Sequence, residues 1–229
     1  MTDIRKDFEK YFKSRYPNHY SFGLDYIEKH QLPTNYMSPT IIEEHEMHIA
    51  QMDCFSRLMM DRIIFFGTDV NSESANIIVS QLLYLDSNDQ GNDIRIFINS
   101  PGGSVYDGMS ILDTMSSIKS PVATQCTGLA ASFGAMILAC GRRGKRTALP
   151  HSRIMIHQPS GGVKGKQTEI EIEYREITAL KNELAEILAQ RTGRTVDEVL
   201  FDMRDDNWMT AQQAVDYGLI DSIIETKWD

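Results

Sequence analysis

Long apolar runs are missing from this chain of 229 residues. No stretch of about 18 consecutive apolar residues occurs, which excludes a helical membrane span. Cysteine is scarce. The three present, Cys54, Cys126 and Cys140, are odd in number and follow no metal-ligand spacing. That excludes a disulfide scaffold and a zinc cluster, and predicts free thiols in a reducing compartment. Positive charge is short as well, since the formal net charge is -9. Holding a phosphate backbone requires a basic surface, so nucleic acid is excluded as the main partner. Near the N-terminus, Arg5, Lys6, Lys10 and Lys13 alternate with Asp3, Asp7 and Glu9, and no apolar segment follows. This is neither a secretory signal nor a transit peptide, and the expected location is the cytoplasm.

What is present is enough apolar content, 41% of residues, to build a sizeable core. Residues up to about 40 lack apolar periodicity and contain Pro17, Pro33 and Pro39; they read as an appendage. From about 50 onward, segments with strand and helix patterns alternate. Ile63-Ile64-Phe65-Phe66 reads as a short buried strand. Residues 72–86 read as a helix with Ile77, Ile78, Leu82 and Leu85 on its apolar face. A strand over 94–98, a helix over 107–118, a strand over 122–126, a helix over 132–140 and a strand over 153–157 follow. Alternation of this kind predicts an α/β fold with a mostly parallel sheet. Residues 168–191 predict a long helix whose apolar positions, from Ile170 and Tyr174 to Leu184 and Leu188, fall near a heptad seam. Such a helix either packs on its own sheet or projects and buries the stripe against a second subunit.

Ser132 carries the chemistry. It lies in Gly128-Leu129-Ala130-Ala131-Ser132-Phe133-Gly134-Ala135, where a strand gives way to a helix and no bulky wall shields the hydroxyl. A serine is a weak nucleophile at neutral pH and needs an adjacent base. His157 is the best candidate, because it ends an apolar strand, and strand ends are where open α/β sheets collect reactive groups. The base in turn needs a carboxylate to fix its tautomer. Asp206 is chosen, between two helices and beside Trp208, with Asp202 and Asp205 as close rivals. Thr210-Ala211-Gln212-Gln213 reads as a capping box opening the next helix. Backbone donors for a developing oxyanion are expected at the Gly102-Gly103 turn and at the amide of Phe133. Glu43-Glu44-His45-Glu46-Met47-His48 lacks the further ligands of a metal site and reads as polar surface. Met115, Met136 and Met155 read as core filler.

These motifs are recognisable together. Ile98-Asn99-Ser100-Pro101-Gly102-Gly103, the Ser132 segment and Met155-Ile156-His157-Gln158-Pro159 resemble those of the Clp protease family of serine peptidases, over about Pro39 to Ile224. The resemblance implies a crotonase-like α/β fold and a proteolytic subunit. The catalytic triad falls on Ser132, His157 and Asp206, and the oxyanion donors on the amides of Gly103 and Phe133. It implies a leader or propeptide over 1–38 and a peptidase domain over 39–229, with helix 168–191 as a projecting handle. Two stacked seven-membered rings would enclose the active sites. A ring-shaped ATP-driven unfoldase of the ClpX, ClpA or ClpC type would feed in unfolded polypeptides. The subunit itself would need no cofactor, metal or membrane. The sequence departs from the family pattern at Leu129, where glutamine is usual, at Phe133, where methionine is common, and at Ser160, where leucine is usual. Arg204-Asp205 replaces an acidic residue followed by arginine. Ile94, Arg95 and Phe97 are suggested as part of an unfoldase-docking pocket.

Overall fold

The computed structural model describes residues 40–45 and 48–226, with side chains from 53 onward. The leader expected over 1–38 lies outside the described residues. The chain divides into two compact units, residues 1–54 and 55–229. In the first, β1 (Thr40–His45) and β2 (His48–Asp53) pair antiparallel, with His45 opposite His48. Residues 43–45 and His48 of the stretch read as polar surface thus lie at the facing ends of two strands.

The second unit begins with the body of α1 (Cys54–Met60), followed by β3 (Ile63–Phe66), α2 (Ser72–Asn88), β4 (Ile94–Ser100), α3 (Val105–Ser117) and β5 (Val122–Ala131). Next come α4 (Phe133–Ala139), β6 (Arg146–Ala148), β7 (Arg153–Ile156), α5 (Gln167–Thr192), α6 (Val196–Asp202), β8 (Asn207–Thr210), α7 (Ala211–Tyr217) and β9 (Ser222–Ile223). Strands β3, β4, β5, β6 and β9 lie side by side in parallel. The long β5 is shared: residues 124–126 pair with β6, and residues 129–131 pair with β7. Strand β8 pairs antiparallel with β7 and supplies the antiparallel exception in this sheet. The α/β class with mostly parallel pairing is as the alternation predicts.

Burial along β3, β4 and the first part of β5 alternates rather than running continuously. In β4, Ile94, Ile96, Ile98 and Ser100 are buried while Arg95 and Asn99 are exposed. Successive strand side chains point to opposite faces, so one face of the sheet carries the core. Two readings change accordingly. Phe65 lies on the open face, so β3 is buried on one side only. Ile94 is fully buried and has no surface with which to dock a partner. In α2 the core positions are Ala75, Ile78, Leu82 and Leu85, and Ile77 faces outward.

Helix α4 is buried at every position. Its small residues are what allow this. A Cβ on Gly134 would stand 2.8 Å from the carbonyl oxygen of Ser100, and one on Gly108 of α3 would stand 2.2 Å from the Phe133 ring. Helix α5 has two different halves. Leu184, Ala185, Leu188 and Ala189 bury into the unit, whereas Ile170, Ile172 and Tyr174 are exposed, Tyr174 at 69%. The sequence left two readings open for this helix, and each half fits one of them.

Near the C-terminus, the buried Arg146 guanidinium bonds both carboxylate oxygens of Asp221 at 2.6 and 3.1 Å, and also the carbonyls of Ala139, Arg191 and Gly218. Burial alone would raise the Asp221 carboxyl. The hydrogen bonds and charge of Arg146, with the Gly144 amide, outweigh that and hold it below its ordinary value of 3.8.

Candidate active site

Three parallel strands end on one edge of the sheet, and each delivers a site element there. Strand β4 ends in Ser100, followed by Pro101-Gly102-Gly103. Strand β5 ends in Ala131, followed by Ser132. Strand β7 ends in Ile156, followed by His157. Because β8 runs the opposite way, the residue before its start, Asp206, comes to the same edge.

Ser132 has φ 54° and ψ -122°, a positive φ for a residue with a side chain. A conformation of this kind costs on the order of 1–3 kcal/mol and persists only where the surroundings over-determine it. Here they do. The Ser132 amide donates to the carbonyl of Met155 at 2.8 Å, and its carbonyl accepts from Ala135 at 3.0 Å as the first turn of α4. A serine at a helix N-cap usually turns its hydroxyl onto the first-turn amides. Ser132 makes no such bond. Its Oγ lies 2.9 Å from His157 Nε2 instead.

His157 Nδ1 lies 2.8 Å from Asp206 Oδ1. An ionised carboxylate only accepts, so Nδ1 carries the proton and donates to Asp206, leaving Nε2 to accept from the Ser132 hydroxyl. The imidazole is about one quarter exposed and Asp206 is 60% exposed. The expected placement of Asp206 between two helices is therefore corrected. Asp206 lies between α6 and the strand β8, and open solvent reaches it. The structure separates the three neighbouring aspartates. Asp202 accepts from the Tyr217 hydroxyl at 2.9 Å. Asp205 pairs with its neighbour Arg204 at 3.1 Å on the surface. Only Asp206 of the three bonds His157. The expected capping box at Thr210 and Gln213 is formed and starts α7.

The glycine turn lies beside the serine. Gly102 has φ 90°, and a Cβ there would meet the Ala131 oxygen at 2.6 Å, the Phe133 nitrogen at 2.7 Å and Ser132 Cβ at 2.7 Å. Neighbouring Gly103 is held by a parallel bridge to Val70, in which Val70 N donates to Gly102 O and Ser104 N donates to Val70 O. That pattern uses the groups on either side of Gly103 and leaves its own amide out. Among the described residues, neither the Gly103 nor the Phe133 amide has a hydrogen-bond acceptor. The Phe133 side chain is buried against Gly108, so replacing methionine with phenylalanine at this position changes the packing and not the amide.

Beside Ser132 and His157 is a mostly apolar pocket, lined by these two and by Val105, Phe133, Met136, Ile156, Pro159, Leu184 and Met203. The sequence reading did not find it. Met136 is buried, as a core residue should be, yet it also walls this pocket. Leu184 and Met203 come from α5 and the end of α6, remote in the chain, and nothing local marks them. Cys54, Cys126 and Cys140 are free, and burial pushes the Cys126 and Cys140 thiols above their ordinary range. Among the described residues there is no His, Cys, Asp and Glu group able to hold a metal, and no helix is long and apolar enough to cross a membrane.

A hydroxyl, an imidazole and a carboxylate joined in one chain of hydrogen bonds beside unpaired amides is the arrangement that defines hydrolases of the serine class. Comparison with known proteins gives the family. The pattern of the Clp protease family matches residues 44–227. Relatives named ATP-dependent Clp protease proteolytic subunit include one from Porphyromonas gingivalis, 55% identical over 85% of this chain and 88% of the relative. Others come from Bacteroides fragilis and Bacteroides thetaiotaomicron, each 52% identical over 96% of this chain and 99% of the relative. The chain belongs to the Clp protease family and is a peptidase.

Proposed function

We propose that Ser132 is the nucleophile of a serine endopeptidase, with His157 as its base and Asp206 as the group that orients the base. The observation that carries this reading is the continuous relay of 2.9 Å from Ser132 Oγ to His157 Nε2 and 2.8 Å from Nδ1 to Asp206. Ser132 Oγ attacks the scissile carbonyl carbon while its proton passes to Nε2. Negative charge collects on the carbonyl oxygen, where the Gly103 and Phe133 amides donate to it. His157 then returns the proton to the departing amine, and the amide bond breaks to leave an acyl ester on Ser132. Water enters, gives a proton to His157 and attacks the ester. His157 finally returns that proton to Ser132 Oγ, freeing the acid product. The apolar pocket would hold the side chain next to the cleaved bond.

The relatives' name and the family support a wider reading. The substrates are unfolded polypeptides, delivered by a partner ATPase of the ring-shaped unfoldase type, in the cytoplasm. The subunit works in two stacked seven-membered rings, and the exposed apolar half of α5 is the surface that a neighbouring subunit covers. Residues 1–38 act as a leader or propeptide ahead of the peptidase domain 39–229. The deciding experiment is Ser132→Ala. It should abolish labelling by a serine-reactive fluorophosphonate and hydrolysis of a short fluorogenic peptide, while the mass of the assembled particle stays unchanged. Labelling that persists would remove Ser132 from its role.

A further inference from the structure

Asp206 is an exposed carboxylate on a turn, and a single exposed hydrogen bond contributes too little to hold two side chains in one geometry by itself. The turn is short, residues 203–206, between the end of α6 and the start of β8. Among the described residues, the Asp206 carboxylate has no hydrogen-bond donor besides His157. The last regular pair of the β7–β8 ladder is Ile156 with Asn207, so His157 and Asp206 lie just past its end, where strands fray. Something else must keep the turn in place.

Gln158 does this from the β7 side. Its backbone amide donates to the Met203 carbonyl at 2.6 Å, and its side-chain Nε2 donates to the Arg204 carbonyl at 2.8 Å. A carbonyl oxygen only accepts, so the nitrogen of the Gln158 amide is the atom that faces Arg204. The two donors grip consecutive carbonyls of the turn that carries Asp206. The side chains of Arg204 and Asp205 are both exposed and bond only to each other within this turn. We infer that Gln158 is a positioning residue: its side-chain amide holds the 203–206 turn so that Asp206 meets His157. This rests on the reading of Asp206 as the orienting carboxylate.

The test uses the full chain in its assembled form and a short fluorogenic peptide with an apolar residue before the cleaved bond. Gln158→Met keeps the length of the side chain and removes the donor. Losing one charge-free hydrogen bond that acts only on geometry should lower kcat about three- to tenfold. KM should stay within about twofold, because the backbone bond from Gln158 to Met203, the turn residue that walls the pocket, is kept. Gln158→Glu, which points oxygen at oxygen, should lose more. In an Asp206→Ala background, Gln158→Met should cause no further loss, since the group it positions is gone. An unchanged kcat in Gln158→Met, or an equal loss with and without Asp206, overturns the inference. Undiminished kcat in Asp206→Ala alone sinks the role of Asp206 instead, so the two failures are told apart.

Discussion

His157 and Asp206 each lie one residue past the last pair of the β7–β8 ladder, and their side chains meet there at 2.8 Å. That ladder pairs Ile156 with Asn207, Met155 with Trp208 and Ile154 with Met209. The next step of the same register sets residue 157 opposite residue 206. In an antiparallel pair, directly opposed residues have neighbouring Cβ atoms. The contact between the imidazole and the carboxylate therefore forms just past the end of a strand pairing, and the register of that pairing brings Asp206 to the end of β7.

Register separates the aspartates, and so should mutation. Asp206→Asn should lower kcat by a factor on the order of 10^3 to 10^4, because the imidazole loses its tautomer and orientation. Asp205→Asn should leave peptide hydrolysis within about threefold, since an exposed neighbour pair contributes little. Asp202→Asn should leave kcat in place and cost about 1 kcal/mol of stability through the weakened Tyr217 bond. Peptide kinetics and thermal melts of the three variants check this. A large kcat loss in Asp205→Asn would contradict it.

Gly102 has no room for a methyl group. At φ 90° with the Phe133 nitrogen 2.7 Å from a notional Cβ, Gly102→Ala must displace either the glycine turn or the start of α4. A shift approaching 1 Å at the oxyanion donors costs about a hundredfold in rate. Peptide hydrolysis should fall by at least that factor while fluorophosphonate still labels Ser132 slowly. Full activity in Gly102→Ala would show that the two amides do not act together.

The Arg146–Asp221 pair should set part of the response to acid. The Asp221 carboxyl is held below its ordinary value of 3.8, so the unfolded chain binds its proton more readily than the folded one. Its stabilising effect is complete above that ordinary value and is lost as pH falls through the folded value. Asp221→Asn leaves a buried guanidinium without its counter-charge and should cost about 3 kcal/mol at pH 7. The gap between wild type and variant should shrink below about pH 4. Denaturant melts across pH measure it, and a gap that grows on acidification would refute the assignment.

The two halves of α5 should respond differently. Leu188→Ala, at a fully buried position, should cost about 2–5 kcal/mol of stability. Ile172 is 65% exposed, and Ile172→Ser should leave the circular dichroism spectrum unchanged. If a neighbouring subunit covers Ile172, the same change should shift the particle mass downward. A particle of unchanged mass would remove Ile172 from the subunit contact.

Much was legible from residue order alone. The alternation of apolar segments led to the α/β class, because burial against a sheet and burial of one helix face impose different periods on a sequence. Ser132, His157 and the glycine turn were visible because each follows an apolar strand run, and parallel strands end on one edge. The apolar positions of α5 were visible too, but not which half would be covered within the subunit. Strand β8 was missed, since Asn207-Trp208-Met209-Thr210 is too short and too mixed to show a period. Asp206 is the choice over Asp202 and Asp205, and the family resemblance falls on it as well, but local patterning by itself barely separates three aspartates in one short acidic stretch.

Local patterning thus determined which segments are strands and helices, and which serine and histidine stand at strand ends, because these follow from side chains a few residues apart. Only the folded chain decided which carboxylate meets the imidazole, which remote side chains wall the pocket, and that the serine hydroxyl turns from its own helix toward His157. Those outcomes depend on strand register and on contacts between segments far apart in the chain. A one-residue slip in pairing would reverse them without altering any local pattern.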